Sequence, residues 1–305
     1  MMSPTTIAYL GPRGTFTEEA VNLLSPASSL PVGSVAEALD LVVAKKADRA
    51  VIPVENSIEG SVSATSDALA HIPGIQIFSE NLIPVRFVLA SKGKQLSEIQ
   101  TVLTHPVAYA QSRKWLASNL KSHQHIPAAS TAAAAKSLGE TEIADAAVVA
   151  PAAAEIYGLE VLATDIGENK NAQTRFIEVG LAGKAPARTG KDKTSLIVEL
   201  PDDKPGGLLE MLEQFSVRGI NLSRIESRPI GDSFGRYRFY VDAQGHLEDL
   251  AISEAMMGLH RFSPKVTFLG SYPRADQLES NHLGNNSDES YNAAKSWRDS
   301  LAGDN

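Results

Sequence analysis

The sequence contains no cysteine, and this absence excludes several kinds of chemistry. A chain without thiols has no disulfide bonds, no thiolate metal ligands and no cysteine nucleophile. Its 7 histidines are scattered, and none has the spacing of a metal-binding motif. His123 and His125 stand two residues apart, and we interpret them as neighbours on a solvated strand edge. We therefore expect no metal site.

Long hydrophobic runs and an excess of positive charge are also missing. No stretch of the sequence reaches the roughly 18 uncharged apolar residues of a membrane helix. The first residues have neither the basic region nor the apolar region of a secretory signal. The formal net charge of -8 is opposite to the basic surface that nucleic-acid proteins usually carry. We expect a cytoplasmic protein that binds neither membranes nor nucleic acid.

Strand and helix patterns alternate over the chain up to residue 180. Apolar runs suited to buried strands lie at residues 6–10, 50–54, 75–78, 83–90, 99–103, 146–150 and 174–179. Residues that start helices stand between them, at Thr15, Ser34, Pro106, Ser130 and Pro151. Gly139 is expected just past the end of one helix. Open α/β sheets of this kind bind ligands at the carboxyl ends of their strands, so we predict two α/β lobes around a cleft.

A second, smaller unit follows a linker of small, polar and basic residues. Strands are predicted at residues 194–200, 220–228, 234–241 and 265–269, with helices at 205–217 and 247–259. This βαββαβ order is the ferredoxin-like arrangement. One such unit leaves sheet edges exposed, which a second copy would cover, so a dimer is expected. The polar segment after residue 273 is expected to be mostly disordered, with room for one or two helical turns at residues 291–301.

Polar clusters stand at five predicted turns of the first part of the chain. They occupy residues 11–16, 55–63, 104–111, 130–131 and 171–176. Helix N-termini suit anionic groups, so clusters that converge on one cleft would suit a small dicarboxylate, although ordinary helix capping explains each cluster singly as well. The turn at 11–16 lacks the GxGxxG spacing, and the sequence has no P-loop, so no nucleotide cofactor is expected.

Together the clusters resemble the motifs of the prephenate dehydratase family, in the family's order. The segments are GPRGTF at 11–16, PVENSIEGSV at 53–62, THP with Gln at 104–111, STA at 130–132 and NAQTRF at 171–176. The resemblance implies an α/β, two-lobed, periplasmic-binding-protein-like catalytic domain at residues 5–182. A linker at 183–193, an α+β ferredoxin-like ACT regulatory domain at 194–273 and a polar tail at 274–305 would follow.

The resemblance implies a decarboxylating dehydratase, which is a carbon–oxygen lyase. It would convert prephenate to phenylpyruvate with loss of water and carbon dioxide in phenylalanine biosynthesis, without a cofactor. Thr174 would donate to the leaving hydroxyl, Glu55 would be the ultimate acid if burial keeps it protonated, and Arg175 would hold a carboxylate. The other implied catalytic or substrate-binding residues are Asn56, Phe176, Thr15, Ser57, Thr104, Gln111, Ser130, Thr131 and Asn171. We expect a monofunctional enzyme, because no helical region precedes the first strand.

Two further segments resemble the phenylalanine-binding motifs of the family's ACT domain. The implied effector site consists of Gly206, Gly207, Leu208, Leu209, Asn221, Leu222, Ser223, Glu226, Ser227, Arg228 and Pro229. Gly207 stands where alanine is usual, and Val107 stands where glutamine often follows the His-Pro pair. Phenylalanine would act as an allosteric inhibitor of a homodimer or homotetramer.

Three other interpretations stay open from the sequence. An arogenate dehydratase differs only in a substrate that carries an amino group in place of the keto group. A two-lobed α/β cleft also serves non-catalytic proteins that bind small molecules. A purely regulatory ACT protein is the third, and the segment Thr174-Arg175-Phe176 argues against it.

Overall fold

The structure, a computed structural model, describes residues 5–24, 28–141, 143–201, 205–231, 235–279 and 284–302. The chain divides into two compact units. The first consists of Met1–Ala68 and Asn81–Ile177, and the second of Leu69–Glu80 and Glu178–Asn305. The sequence predicted one boundary between domains, after residue 182. The observed units are divided differently, because two long strands each run from one unit into the other.

The first part of the chain forms two mixed sheets and the helices that cover them. Its strands are β1 (Thr6–Leu10), β2 (Ser28–Val32), β3 (Arg49–Asn56), β4 (Gly60–Ser61), β5 (Ile75–Pro84), β6 (Val88–Ser91), β7 (Thr101–Thr104), β8 (Gln124–Pro127), β9 (Ala146–Val149), β10 (Glu160–Ala163) and β11 (Gln173–Leu181). Its helices are α1 (Phe16–Asn22), α2 (Val35–Val43), α3 (Ser63–His71), α4 (Pro106–Asn119), α5 (Thr131–Glu140) and α6 (Pro151–Ile156).

The two sheets share one topology, and the chain crosses between them twice. The first sheet has the order β2-β1-β3-β11-β5, with β4 beside β3, and the second has the order β10-β6-β9-β7-β8. In each sheet an interior strand arrives from the other lobe: β11 in the first, and β6 in the second. The strand β6 runs antiparallel to β9, whereas β1 and β3 are parallel, as are β7 and β9. This arrangement confirms the two-lobed α/β fold.

Helices begin where the sequence has capping residues. Thr15 and Ser34 each accept a hydrogen bond from the backbone N–H three residues later, at 3.3 and 3.1 Å. Ser130 caps α5 in the same way at 2.9 Å, and Pro106 is the first residue of α4. These side chains satisfy N–H groups that have no partner within the helix. None of the helices in the described ranges is long and apolar enough to cross a membrane.

Four strands, one helix, one strand boundary and one residue differ from the sequence prediction. The strands β2, β4, β8 and β10 were not predicted, because they are short and mostly exposed and so lack an apolar pattern. Helix α3 was not predicted, and the predicted strand at 83–90 is divided between the end of β5 and β6. Gly139 was expected beyond the helix but lies inside α5, which continues to Glu140. A Cβ at Gly139 would lie 3.0 Å from the backbone oxygen of Tyr157, so close packing rather than a helix end explains this glycine.

The second unit contains the predicted ferredoxin-like fold. Its elements are β12 (Asp192–Glu199), α7 (Gly207–Ser216), β13 (Leu222–Pro229), β14 (Tyr237–Gln244), α8 (Leu250–Phe262) and β15 (Lys265–Pro273). The sheet order is β13-β14-β12-β15, and its strand pairs are antiparallel, which confirms the βαββαβ arrangement. The predicted strand at 234–241 includes Phe234, which lies outside the described residues.

The polar tail is more ordered than the sequence suggested. Asp288–Ala302 forms helix α9. The Asp288 carboxylate accepts a hydrogen bond from the Leu250 N–H at 2.9 Å and pairs with Arg188 at 2.8 Å, while Tyr291 packs against the apolar core of the unit. The expectation of a disordered tail was therefore wrong for this helix, because these anchors are distant in sequence. Residues 280–283 and 303–305 lie outside the described part.

A buried ion pair ties the middle of β5 to β12 within the second unit. Lys193 Nζ lies 3.0 and 2.9 Å from the two carboxylate oxygens of Glu80, and the side chains are 8% and 3% exposed. The Ala275 N–H also donates to Glu80 at 3.0 Å. Buried charges are tolerated only when they are paired and hydrogen-bonded in this way.

Asp145 anchors β7 in the second lobe and generates a prediction about pH. Its carboxylate accepts from the backbone N–H groups of Gln100 and Thr101, both at 2.8 Å, and pairs with Lys94. Burial raises the pKa of Asp145, but the hydrogen bonds from these three residues outweigh burial and bring it to about 2. The folded pKa is below the unfolded value, so the stabilisation is present above about pH 4 and is lost as the pH falls towards 2.

We expect Asp145→Asn to lower the free energy of unfolding by about 2 kcal/mol at neutral pH, and by progressively less below about pH 4. Urea unfolding at pH 7 and pH 3 measures the difference. Asp165→Asn is the control, because Asp165 is 51% exposed and forms only long surface ion pairs, at 3.9 and 3.8 Å. An equal loss at both pH values for Asp145→Asn would contradict the assignment.

Candidate active site

A cleft of about 230 Å³ opens between the two lobes of the first unit. Its walls are Phe16, Asn56, Val85, Phe87, His105, Val107, Ala108, Gln111, Ala129, Ser130, Thr131 and Thr174. Five of the residues predicted from the sequence are among them: Asn56, Gln111, Ser130, Thr131 and Thr174. No Asp, Glu, Lys or Arg occurs in this set of described wall residues.

Asn56 and Thr174 form the polar centre of the first lobe's wall. Asn56 Nδ2 lies 3.0 Å from Thr174 Oγ1. Asn56 Oδ1 accepts hydrogen bonds from the Ile58 and Glu59 N–H groups at 2.9 and 3.3 Å, and this fixes which end of the amide faces Thr174. Because the amide nitrogen can only donate, the Thr174 oxygen accepts, and its own proton remains available for another acceptor.

Two helix N-termini form much of the second lobe's wall. Ser130 and Thr131 stand at the start of α5, and His105 caps the start of α4, with Val107 in its first turn. The positive ends of two helix dipoles therefore face the cleft, although in α4 Pro106 has no N–H and the Val107 N–H is bonded to His105. This arrangement suits an anionic ligand that is held by neutral donors.

His105 is a wall residue that the sequence analysis did not select. Its Nδ1 accepts a hydrogen bond from the Val107 N–H at 3.3 Å, so the neutral ring carries its proton on Nε2. The neighbouring Thr104 was predicted in its place. A signal was nevertheless present, because His105 immediately precedes Pro106 and so occupies the predicted N-cap of α4.

Phe16, Val85 and Phe87 supply an apolar wall. The rings of Phe16 and Phe87 meet edge to face, with centroids 6.1 Å apart and an interplanar angle of 73°. Val85 and Phe87 lie on the first segment that crosses between the lobes. Val85 and Phe87 were not expected on a crossing segment, because residues 83–90 were interpreted as one continuous strand.

Glu55 and Arg175 do not line the cleft. Glu55 Oε2 lies 3.7 Å from Arg175 Nη1, and the Glu55 side chain is 38% exposed. The condition on which the proposed acid role of Glu55 depended, burial, is not met. Arg175 is buried beside it, on the side of β11 away from Thr174, because successive side chains of a strand point to opposite faces.

Five other predicted residues pack or form hydrogen bonds outside the cleft wall. Thr104 is fully buried and donates to the Val148 carbonyl at 2.6 Å. Phe176 belongs to the core of the first lobe. Ser57 exchanges hydrogen bonds with the Gln173 backbone at 2.9 and 3.0 Å, which joins the end of β3 to the start of β11. Thr15 caps α1, and Asn171 is exposed and bonded to Asn169. None of these five residues is among the described wall residues of the cleft.

His123 and His125 pack around Tyr109 at the edge of the second lobe. The His125 ring stacks on Tyr109 with centroids 4.1 Å apart, and His123 Nε2 lies 3.1 Å from the Tyr109 hydroxyl. Burial, together with the charge on His125, lowers the pKa of His123. Across the described ranges no three His, Asp or Glu side chains come together as a metal site would require.

The predicted effector residues lie in the second unit, at the start of α7 and along β13. Gly206 is the N-cap of α7 and has a positive φ of 85°, and Gly207 is buried as the first helical residue. Leu208 and Leu209 are 41% and 59% exposed. The strand β13 forms an edge of its sheet. The other predicted effector residues are Asn221, just before β13, and Leu222, Ser223, Glu226, Ser227, Arg228 and Pro229 on it. Glu226 pairs with Arg224.

Known proteins are similar to this chain in sequence and in fold. Residues 7–184 match the prephenate dehydratase family, and residues 194–260 match the ACT domain. A prephenate dehydratase of Mycobacterium leprae (strain Br4923) is 43% identical over 284 residues, which cover 89% of this chain and 88% of that protein. The structure of a prephenate dehydratase from Arthrobacter aurescens, in complex with L-Phe, has a TM-score of 0.93 and 46% identity and covers 98% of this chain and 99% of that one.

A more distant structure has another description. GqqA, described as a novel type of quorum quenching acylase, has a TM-score of 0.80 and 28% identity, with 88% of this chain and 98% of that chain covered. The match to the dehydratase family spans more than half of the chain, and the M. leprae relative is much more similar in sequence. The chain therefore belongs to the prephenate dehydratase family, which consists of lyases that act as decarboxylating dehydratases.

Proposed function

We propose that this chain converts prephenate to phenylpyruvate in the cleft between its two lobes, with Thr174 as the donor to the leaving hydroxyl. The hydrogen bond from Asn56 Nδ2 to Thr174 Oγ1, at 3.0 Å, supports this proposal most directly. It occupies a lone pair of the threonine oxygen and leaves the hydroxyl proton for the substrate.

The reaction requires one proton and no change of redox state. The ring carboxylate leaves as carbon dioxide, and the electron pair of the broken C–C bond enters the ring. The ring becomes aromatic as its C–O bond breaks, and the departing oxygen takes a proton and leaves as water. A positioned donor at this oxygen stabilises the charge that develops there.

His105 is our candidate for returning the proton, in place of Glu55. It lines the same cleft as Thr174, and its ring has one nitrogen that donates and one that accepts, as a proton relay requires. Glu55 lies outside the wall and is partly exposed. His105 would take this proton from solvent and pass one on to Thr174, directly or through water, as Thr174 donates to the leaving oxygen, so that the ring is neutral before and after the reaction.

The substrate's two carboxylates would be held by the N-termini of α4 and α5, with Gln111 and Ser130 as further donors. The ring would lie against Phe16 and Phe87. We favour prephenate over arogenate, because the described wall residues include no Asp or Glu to pair with an ammonium group.

We expect Thr174→Val to lower kcat by about 10²–10⁴-fold while the fold is retained, because only the donor hydroxyl is replaced. Formation of phenylpyruvate from prephenate, followed by its absorbance, measures kcat. The matched control is Thr104→Val, which removes a buried threonine that donates to the Val148 carbonyl outside the cleft. It should lower the free energy of unfolding by about 1–3 kcal/mol and leave kcat nearly unchanged. Near-normal kcat in Thr174→Val would refute the donor role.

Regulation by phenylalanine is the second part of the proposal. L-Phe is bound in the A. aurescens structure, and the start of α7 in this chain carries exposed leucines next to backbone N–H groups that have no partner within the helix. The exposed side chains of β13, among them Ser223, Ile225 and Ser227, alternate along an unpaired sheet edge. A second copy of this edge would complete the site, in a cytoplasmic homodimer or homotetramer.

Two strands connect this unit covalently to the cleft walls. Both β5 and β11 begin or end in the second unit and continue into the first. Ser79 on β5 donates to Glu178 on β11 at 2.7 Å. Further along, β11 carries Thr174 and β5 leads to Val85, so both strands end in cleft walls.

We expect Leu208→Ala to raise the phenylalanine concentration for half inhibition by about tenfold or more, since a contact with the phenyl ring is lost. Activity without phenylalanine should not change. Val217→Ala is the control, because Val217 is 69% exposed at the other end of α7. Equal inhibition curves for Leu208→Ala and the unaltered chain would place the effector elsewhere.

A further inference from the structure

Glu18 is a buried carboxylate in α1 whose bonds hold the turn at residues 11–15. It is 8% exposed. Its Oε1 accepts from the Tyr9 hydroxyl at 2.9 Å, and its Oε2 accepts from the Gly14 N–H at 2.6 Å. Arg13 Nε approaches Oε1 at 3.4 Å from the exposed side. Burial and the hydrogen bond to Glu18 raise the pKa of Tyr9, so Tyr9 remains a donor throughout the physiological range.

The turn that Glu18 holds belongs to the first lobe but is packed against the second. The Tyr157 hydroxyl, at the end of α6, donates to the Arg13 carbonyl at 3.1 Å. Gly14 has a positive φ of 83°, and a Cβ there would lie 2.9 Å from Ala153 Cα. The two lobes therefore meet at this turn with almost no space between their backbones.

Phe16 follows the turn and touches the cores of both lobes. Its ring packs against the first-lobe cluster that contains Tyr9 and Val51. It also packs against the clusters on the two faces of the second sheet, which contain Leu103 and Leu89 respectively. Since Phe16 also lines the cleft, its position depends on how the turn is held.

We propose that Glu18 is a positioning residue for the dehydratase reaction, acting through the turn at residues 11–15. By fixing the Gly14 backbone between Tyr9 and α6, it sets the separation of the lobes and the place of Phe16 against the substrate ring. The proposal rests on the cleft being the site of the reaction.

Glu18→Gln tests the proposal with little change in volume. Both Tyr9 and Gly14 donate to Glu18, and an amide nitrogen cannot accept a hydrogen bond, so glutamine loses at least one of the two bonds. We expect the KM for prephenate to rise about tenfold with a smaller change in kcat, since binding of the ring is disturbed more than proton donation.

Glu37→Gln is the matched control. Glu37 accepts from the Gly33 N–H at 2.8 Å, and its own N–H donates to Ser34, so its local geometry is nearly the same. Glu37 is exposed on α2 and lies outside the cleft wall. A purely local role in starting a helix would affect the two variants alike, whereas the proposal predicts a KM change only for Glu18→Gln.

A second measurement reads the separation of the lobes without activity. Because the chain has no cysteine, Asp40→Cys on α2 and Ala117→Cys on α4 introduce one spin label in each lobe. Pulsed electron paramagnetic resonance measures the distribution of distances between the two spin labels. Glu18→Gln should broaden this distribution, and Glu37→Gln should not. An unchanged KM or an unchanged distribution in Glu18→Gln would each overturn the proposal.

Tyr157→Phe decides the question if Glu18→Gln does not fold. It removes only the hydrogen bond to the Arg13 carbonyl from the second lobe, and it should raise KM about threefold and broaden the same distribution. No change in either quantity would then overturn the proposal. Retained kcat in Thr174→Val alongside these effects would refute the donor role of Thr174 but not the positioning role of Glu18.

Discussion

Insertion of β11 between β3 and β5 is the constraint on which the cleft depends. Asn56 ends β3, and Thr174 lies 118 residues later near the start of β11. The chain builds the whole second lobe between these two residues. Their hydrogen bond can therefore form only after the chain has crossed out of the first sheet and returned to it. Such long-range pairing is slow in folding, but it places the donor and its partner on adjacent strands of a rigid sheet.

The cleft holds its ligand without charged side chains among the described wall residues. Carboxylates near Thr174 would repel a dianionic substrate, whereas helix N-termini attract it and need no buried counter-ion. A charged pair close by, Glu55 with Arg175, is not among the described wall residues. The described wall residues around Thr174 therefore carry no charged side chain. This suits a hydroxyl that donates to an oxygen on which negative charge develops.

Local signals in the sequence predicted what depends on local structure. Thr15 and Ser34 cap helices because their bonds close within three residues, and the apolar runs of interior strands are buried on both faces. The choice of Thr104 over His105 failed because a distant group, the Val148 carbonyl, turns the threonine inward. The full length of helix α9 was missed for the same reason, since Arg188 and the start of α8 hold it. The order of motifs gave the family, but not which residue of each motif faces the cleft.

The cleft walls are held at two places that the motifs do not mark. One is the turn bonded to Glu18, and the other is β5, which carries Glu80 of the buried Lys193–Glu80 pair and leads to Val85. A paired strand cannot slip by one residue without turning every side chain to its other face. If phenylalanine acts through β5 and β11, its effect must therefore reach the cleft as a small shift or tilt of whole strands. Thr174 and Val85 would move with those strands while Phe16 stays with its turn, so a change of this kind would alter the distance between the donor and the ring it serves.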